Sequence, residues 1–406
     1  MTDKLSDVQR DMLYLTACAL NGKAPDRQRT GEMNTASLYR LSKRHSMSAI
    51  IYMALDSAKA LDTDSELKKL WCEDKDKAIR KSVLLDAELS QLGALLAENK
   101  IWYMPLKGSV LKRLYPKLGM REMADCDILF DEKHRETVRR IMQSRGYTCD
   151  SYGKGSHDVY FKPPVCNFEM HISLFRQSQR KAFVEYYKNV EERLIQDADS
   201  PYLRRFSDED FYVYLIAHAS KHFDVAGTGV RILMDVFVYN REKGDTLDRA
   251  YIKSVLTKLE IAEFEADLFS LSKALFENSE QIQDISLEEK QLSLLEFLFG
   301  SGTYGTMENI VNSRLEKLDK DSADTDGKIK RRYYLSRLFP ENEWYKDNFP
   351  FAYKHRWAKP FVFIYRVFRG IFFRRKKLKS EISAVDKQLG AAAPQRCKHR
   401  SVESEE

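Results

Sequence analysis

Three carboxylates and a lysine-glycine turn are the residues of this chain whose types and spacing suit chemistry. In Asp125-Cys126-Asp127-Ile128-Leu129-Phe130, one residue separates two acids and an apolar run follows. As a strand, this stretch puts Asp125 and Asp127 on one face, about 6 to 7 Å apart along the backbone. Such close carboxylates repel, and a divalent cation relieves the repulsion; oxygen donors suit Mg2+ or Mn2+. The plain alternative is two solvated acids at a surface turn. Glu169 sits between Phe168 and Met170, where a buried carboxylate is costly unless paired or metal-bound; otherwise it faces solvent or pairs with a lysine. Lys107-Gly108-Ser109 forms a turn where glycine admits a close backbone approach and free N–H groups can meet phosphate. An ordinary turn is its alternative. Lys107 and Arg121 either neutralise phosphate charge or are solvated loop residues.

The elements that must position these groups follow from periodicity. Apolar residues recur at three- and four-residue spacing over Val8–Leu20, Leu38–Leu55 and Ala78–Leu96, predicting helices, with a loop at Asn21–Ser37. At Ile101 the period changes to alternation, predicting a strand to Leu106, then a helix over Val110–Tyr115 stopped by Pro116. Strands are predicted at Cys126–Phe130, Tyr147–Asp150, Asp158–Lys162 and Asn167–Ile172. A helix capped by Asp131 and ended by Gly146 lies between the first two of these. The order β-α-β-α-β-β-β implies a small mixed sheet with helices on one face. Helices return over Ser207–Phe223, Arg231–Asn240, Leu247–Leu259, Glu263–Asn278 and Leu287–Phe299. Leu318–Arg332 is charged and predicts an exposed loop. The fold class is therefore α+β. It divides into a helical region 1–100, a sheet core 101–180, a helical domain 181–317 closing the cleft, a basic-aromatic segment 318–384 and a disordered tail 385–406.

The motifs in this order resemble the nucleotidyltransferase superfamily that includes DNA polymerase beta, through Gly108-Ser109, Asp125-x-Asp127 and Glu169. More narrowly they resemble its uncharacterised nucleotidyltransferase family. The resemblance is carried by Leu106-Lys107-Gly108, Leu114-Tyr115-Pro116, Arg121, Asp125-x-Asp127-Ile128-Leu129, Gly146-Tyr147 and Glu169-x-His171. It continues in Leu215–His222 and Arg231–Asp235, and spans roughly residues 10 to 300. It implies a two-metal transfer of a nucleoside monophosphate from an NTP, ATP among them, to an acceptor hydroxyl. Asp125, Asp127 and Glu169 would hold Mg2+ or Mn2+, and the backbone at Gly108 and Ser109 would receive phosphates. Lys221, His222 and Asp235 would line the opposite side. Fifteen residues separate Ser109 from Asp125, slightly more than the superfamily spacing, and the turn carries one glycine; both point to a reshaped phosphate site. Two rivals come from other classes: a nucleotide-binding regulatory protein without turnover, and a peripheral membrane adaptor.

Weaker signals remain. His218 and His222 lie four apart on a predicted helix and, with Asp235, offer either a zinc set lacking the Glu of HExxH or packed and phosphate-facing side chains. His171 shares the face of Glu169 and either contacts substrate or is structural. The Lys354–Lys379 stretch is dense in Lys and Arg, with no Asp or Glu, and its part 357–379 interleaves Phe and Trp. It packs on the domain, meets an anionic lipid surface, or contacts nucleic acid. The whole chain, with 67 Lys and Arg against 61 Asp and Glu, carries a net charge of only +6, which disfavours a long nucleic-acid acceptor. Six scattered cysteines without a CxxC pair fit a reducing compartment. With no basic-apolar leader and no run of about 18 apolar residues, the expected location is the cytoplasm, the basic segment adding a peripheral site at the inner membrane face.

Overall fold

The computed structural model describes residues 5–61, 65–198, 200–278, 287–303, 305–319 and 326–390. They group into two compact units, one of Met1–Phe223 with Thr228–Tyr304 and one of Asp224–Gly227 with Gly305–Glu406.

The first unit opens with α1 (Asp7–Leu20), α2 (Arg27–Glu32), α3 (Thr35–Arg44), α4 (Ser48–Ser57) and α5 (Glu66–Glu98). Two expectations are corrected here. The Asn21–Ser37 loop contains α2, whose Asp26 caps the Arg29 N–H at 2.8 Å; six residues are too few for a period to register. The single helix expected over Leu38–Leu55 is broken at Ser46, which adopts φ +52°. The break turns His45 fully into the core against Phe299.

Five strands follow: β1 (Tyr103–Pro105), β2 (Cys126–Phe130), β3 (Thr148–Ser151), β4 (His157–Lys162) and β5 (Cys166–His171). Between them lie α6 (Gly108–Leu111), continued by a 3-10 turn to Leu114, and α7 (Arg135–Ser144). The sheet order is β1-β2-β5-β4-β3. Only β2 and β5 run parallel; the other neighbours are antiparallel, so the sheet is mixed. Alternation sorts its side chains. Cys126, Ile128, Phe130, Cys166, Phe168 and Met170 pack against Leu85, Leu89, Leu92 and Leu96 of α5 and Val138, Ile141 and Met142 of α7. That apolar face is the expected one-sided helical cover. The intervening residues Asp127, Glu169 and His171 are left for the other face.

Beyond the sheet come α8 (Lys181–Tyr186), the short pair β6 (Ile195–Gln196) and β7 (Arg204–Arg205), and α9 (Asp208–Phe223). The Ser207 hydroxyl accepts the Asp210 N–H at 3.0 Å and so caps α9. Helices α10 (Arg231–Lys243), α11 (Arg249–Lys258), α12 (Ala262–Phe276) and α13 (Glu289–Ser301) complete the unit. They share one apolar core with α1, α4 and α9.

The second unit holds α14 (Met307–Asp319), α15 (Asp326–Leu338), α16 (Asn342–Asn348), α17 (Pro350–Lys354), α18 (Lys359–Phe372) and α19 (Arg375–Gly390). The exposed loop expected over Leu318–Arg332 is corrected for its described part: α15 is helical there. Its Ile329 and Tyr333, one turn apart, pack with Val311, Leu315 and Val385. Two apolar residues four apart suffice for such a seam, and the surrounding charge masks it. Residues 385–390, expected as tail, belong to α19; the rest of the expected tail lies outside the described residues.

Candidate active site

The site grows from the sheet edge. The Leu106 N–H donates to the Asp127 carbonyl at 2.9 Å, extending the β1–β2 ladder to the point where β1 turns. The next residue, Lys107, adopts φ +49°, a region that costs a non-glycine residue roughly 1–3 kcal/mol. This backbone delivers the Lys107 Nζ to Asp127 Oδ1 at 2.7 Å. In the parallel β2–β5 register Asp127 lies directly opposite Glu169, and Asp125, two residues earlier, shares the face of Asp127. His171 Nε2 stands 2.8 Å from Asp127 Oδ1 and 3.5 Å from Glu169 Oε2. Since an ionised carboxylate only accepts, His171 carries its proton on Nε2 towards Asp127.

The charges here do not balance. Burial favours a protonated Asp127, but the Lys107 ammonium and His171 outweigh it and hold the carboxyl well below its ordinary range. Asp125 goes the other way: burial, then the charges of Asp127 and Glu169, push it up to about 6. Glu169, though also opposed by burial, is held low by His171. Three acids thus crowd the Lys107 ammonium, with Arg231 also acting on Asp125, and this concentration of carboxylates is one a further cation would relieve.

A cavity of about 440 Å³ opens on this face, lined by Asp125, Asp127, Glu169, His171, Lys107 and Gly108, and across from them by residues of α9 and α10. Among the latter are Tyr214, His218, Lys221, His222, Arg231 and Asp235. Burial, then the Lys107 charge, brings the Lys221 ammonium down to about 8. His222 Nε2 and His218 Nε2 lie 3.1 Å apart, a bond that needs one ring as an unprotonated acceptor. Burial lowers both rings accordingly, His222 to about 4. The two point to each other, and Asp235 is not with them.

Asp235 is committed elsewhere. Arg121 grips it with Nε at 2.7 Å and Nη2 at 2.9 Å, and the Tyr115 hydroxyl donates to it at 2.7 Å. All three residues are buried. Arg121 is buried rather than solvated and lines the cavity, where its guanidinium is held by Asp235 and ties the segment before β2 to α10. Gly108 is explained by the same pair, because a Cβ there would stand 2.5 Å from the Arg121 guanidinium. Ser109 turns away from the cavity: its Oγ lies 3.3 Å from Cys126 Sγ and its N–H donates to the Leu106 carbonyl.

The sequence reading missed His157. Its Nε2 lies 3.6 Å from Glu169 Oε2 and its ring lies 4.7 Å from that of His171, tilted by 47°. His157, Glu169 and His171 offer donor atoms all within 4.8 Å of one another, an N/O set that suits borderline divalent metals as well as hard ones. A signal existed: His157 and His171 are equally far from Pro164, so a β4–β5 hairpin centred there pairs them, as observed.

A model of the uncharacterised nucleotidyltransferase family matches residues 31–277, well over half of the chain. The chain belongs to this family. No curated protein and no solved structure matches it. Membership in the uncharacterised nucleotidyltransferases makes the protein a transferase acting on a nucleotide, and the matched span contains every cavity residue named above.

Proposed function

We propose that the protein transfers a nucleoside monophosphate from an NTP to an acceptor hydroxyl, with Mg2+ or Mn2+ held by Asp125, Asp127 and Glu169. The observation carrying this reading is the β2–β5 register that sets Asp127 beside Glu169 on the cavity face, with Asp125 on the same side. The donor set fits the ion: three carboxylates, two on neighbouring strands, with the Lys107 ammonium paired directly to Asp127. A divalent cation bound there supplies Lewis-acid stabilisation of charge on the transferring phosphoryl group.

The chain's own residues do the rest. Lys107 leaves Asp127 for the incoming triphosphate, trading one anion for another at the same turn. Lys221 and His222 meet the phosphates from α9, Lys221 supplying positive charge across from the acids. Glu169 accepts the proton of the acceptor hydroxyl as its oxygen bonds to the α-phosphorus. The α–β phosphoanhydride bond breaks and pyrophosphate departs. Phe211, Leu215 and Ile232 supply the apolar part of the cavity wall.

Calorimetry with each NTP, with and without Mg2+ or Mn2+, tests the reading on wild type and the Asp125→Ala/Asp127→Ala variant. Metal-dependent binding is expected for wild type and its loss, by at least about 100-fold, for the variant. Equal affinities, or wild-type binding indifferent to metal, would sink the assignment.

A further inference from the structure

We propose that the outward face of α18 is a docking surface for an anionic lipid bilayer. Trp357, Phe361, Ile364, Phe368, Ile371 and Phe372 recur at three- and four-residue spacing on one stripe, and every one is exposed. Phe361 is 65% and Phe372, about three turns on, 66% accessible, and a contiguous exposed apolar patch of this kind marks an interaction site. The stripe carries no charge. The opposite side is the one that packs: Val362 is buried with Tyr345 and Ala352. Arg366 donates to the carbonyls of Arg337 and Leu338 and lies 4.3 Å over the Trp344 ring. The orientation of α18 within its unit is therefore fixed by contacts, and the aromatic stripe is what is left over.

Charge complementarity selects the occupant. Arg374, Arg375, Lys376, Lys377 and Lys379 follow the stripe directly and are all exposed. No Asp or Glu occurs between Asp347 and Glu381. An apolar stripe bordered by cations at its end is the pattern of a helix lying in the headgroup layer of an anionic membrane. Single-stranded nucleic acid calls for cations interleaved with the rings along a groove, whereas of the two arginines of α18 Arg366 is tied down and Arg369 lies in the last turn, beside the basic cluster. A second copy of the chain packed with its α18 in the same direction would bring one basic cluster against the other, which like charges oppose. Spanning is also excluded for this helix. Its 14 residues reach about 21 Å against a hydrocarbon core of about 30 Å, and no helix among the described residues is long and apolar enough to cross.

Flotation of the full-length protein decides it, using vesicles of phosphatidylcholine alone or mixed about 3:1 with phosphatidylglycerol. Wild type is expected to float with the mixed vesicles, at least about tenfold more than with phosphatidylcholine alone, and less as salt rises. Phe368→Glu/Phe372→Glu should lose about tenfold or more of that recovery with an unchanged circular dichroism spectrum and thermal midpoint, since both rings are exposed. Neutralising Arg375, Lys376 and Lys377 to Ala should remove the salt dependence. Three results would overturn the proposal: no flotation of wild type, undiminished flotation of the Phe variant, or binding of single-stranded RNA or self-association that the Phe variant abolishes while vesicles are ignored.

Discussion

Two buried carboxylates line the same cavity and are built to opposite ends. Asp235 receives a bidentate guanidinium and a phenol hydroxyl, and each of its oxygens is used. Asp127 receives one ammonium and one imidazole, both on Oδ1, while Asp125 and Glu169 crowd it with further negative charge. The first arrangement is saturated and neutral: it joins the segment before β2 to α10 and has nothing to give. The second has a deficit of positive charge and a lysine on a strained backbone, so its partner is exchangeable. The difference teaches that burial and pairing alone do not single out a candidate catalytic acid; an unbalanced neighbourhood does.

Breaking the saturated pair should have the largest effect on the fold. Arg121→Met orphans Asp235 and should cost about 3–5 kcal/mol in urea unfolding, part of it recovered in Arg121→Met/Asp235→Leu because the orphaned charge is then gone. Asp127→Asn leaves Lys107 among two other acids and should cost less, about 1 kcal/mol; equal losses at the two sites would erase the distinction.

The next effect is on pH. Lys221, on α9, has no carboxylate ion pair among the described residues, and its ammonium is brought down to about 8 by burial. Below that pH it meets phosphate already charged. Above it, binding must take up a proton, so NTP affinity should fall about tenfold from pH 7 to pH 9. Lys221→Arg should flatten that fall. The same group should add stability as pH rises from about 8 towards the ordinary lysine value, because the folded state prefers it neutral. A profile unchanged in the Arg variant would remove Lys221 from the phosphate side.

The smallest effect is expected at Ser109, which the family resemblance made a phosphate ligand. Among the described residues its hydroxyl bonds only to the Cys126 thiol, so Ser109→Ala should change stability by under about 1 kcal/mol and leave NTP affinity within about twofold. A larger loss of affinity would return Ser109 to the site.

Much of the site was legible because strand alternation is a local rule. Asp125 and Asp127 share a face in any strand that contains them, and Glu169-x-His171 does so for the same reason. The sheet strands emerged with bounds within one or two residues, since a change from a helical period to alternation is visible in a short window. Among the elements that failed to appear are several with too little pattern: six residues in α2 and in α8, two in each of β6 and β7, and two apolar positions in α15; the break at Ser46 accompanies the burial of His45 against Phe299.

By itself the sequence determined the α+β class, the Asp125-x-Asp127 pair and the Glu169-x-His171 motif, which rest on neighbours within a few residues along the chain, and the motif order that carries the family. The tertiary structure decided who pairs with whom. Arg121 and Asp235 lie 114 positions apart, Lys107 and Asp127 20, and no local pattern states that one pair closes while the other stays open. Register set Asp127 against Glu169 and His157 against His171, and packing turned Ser109 inward and the α18 aromatics outward. The reason is physical: charge balance at a site is a sum over groups brought together from distant segments, and only the folded chain performs that sum.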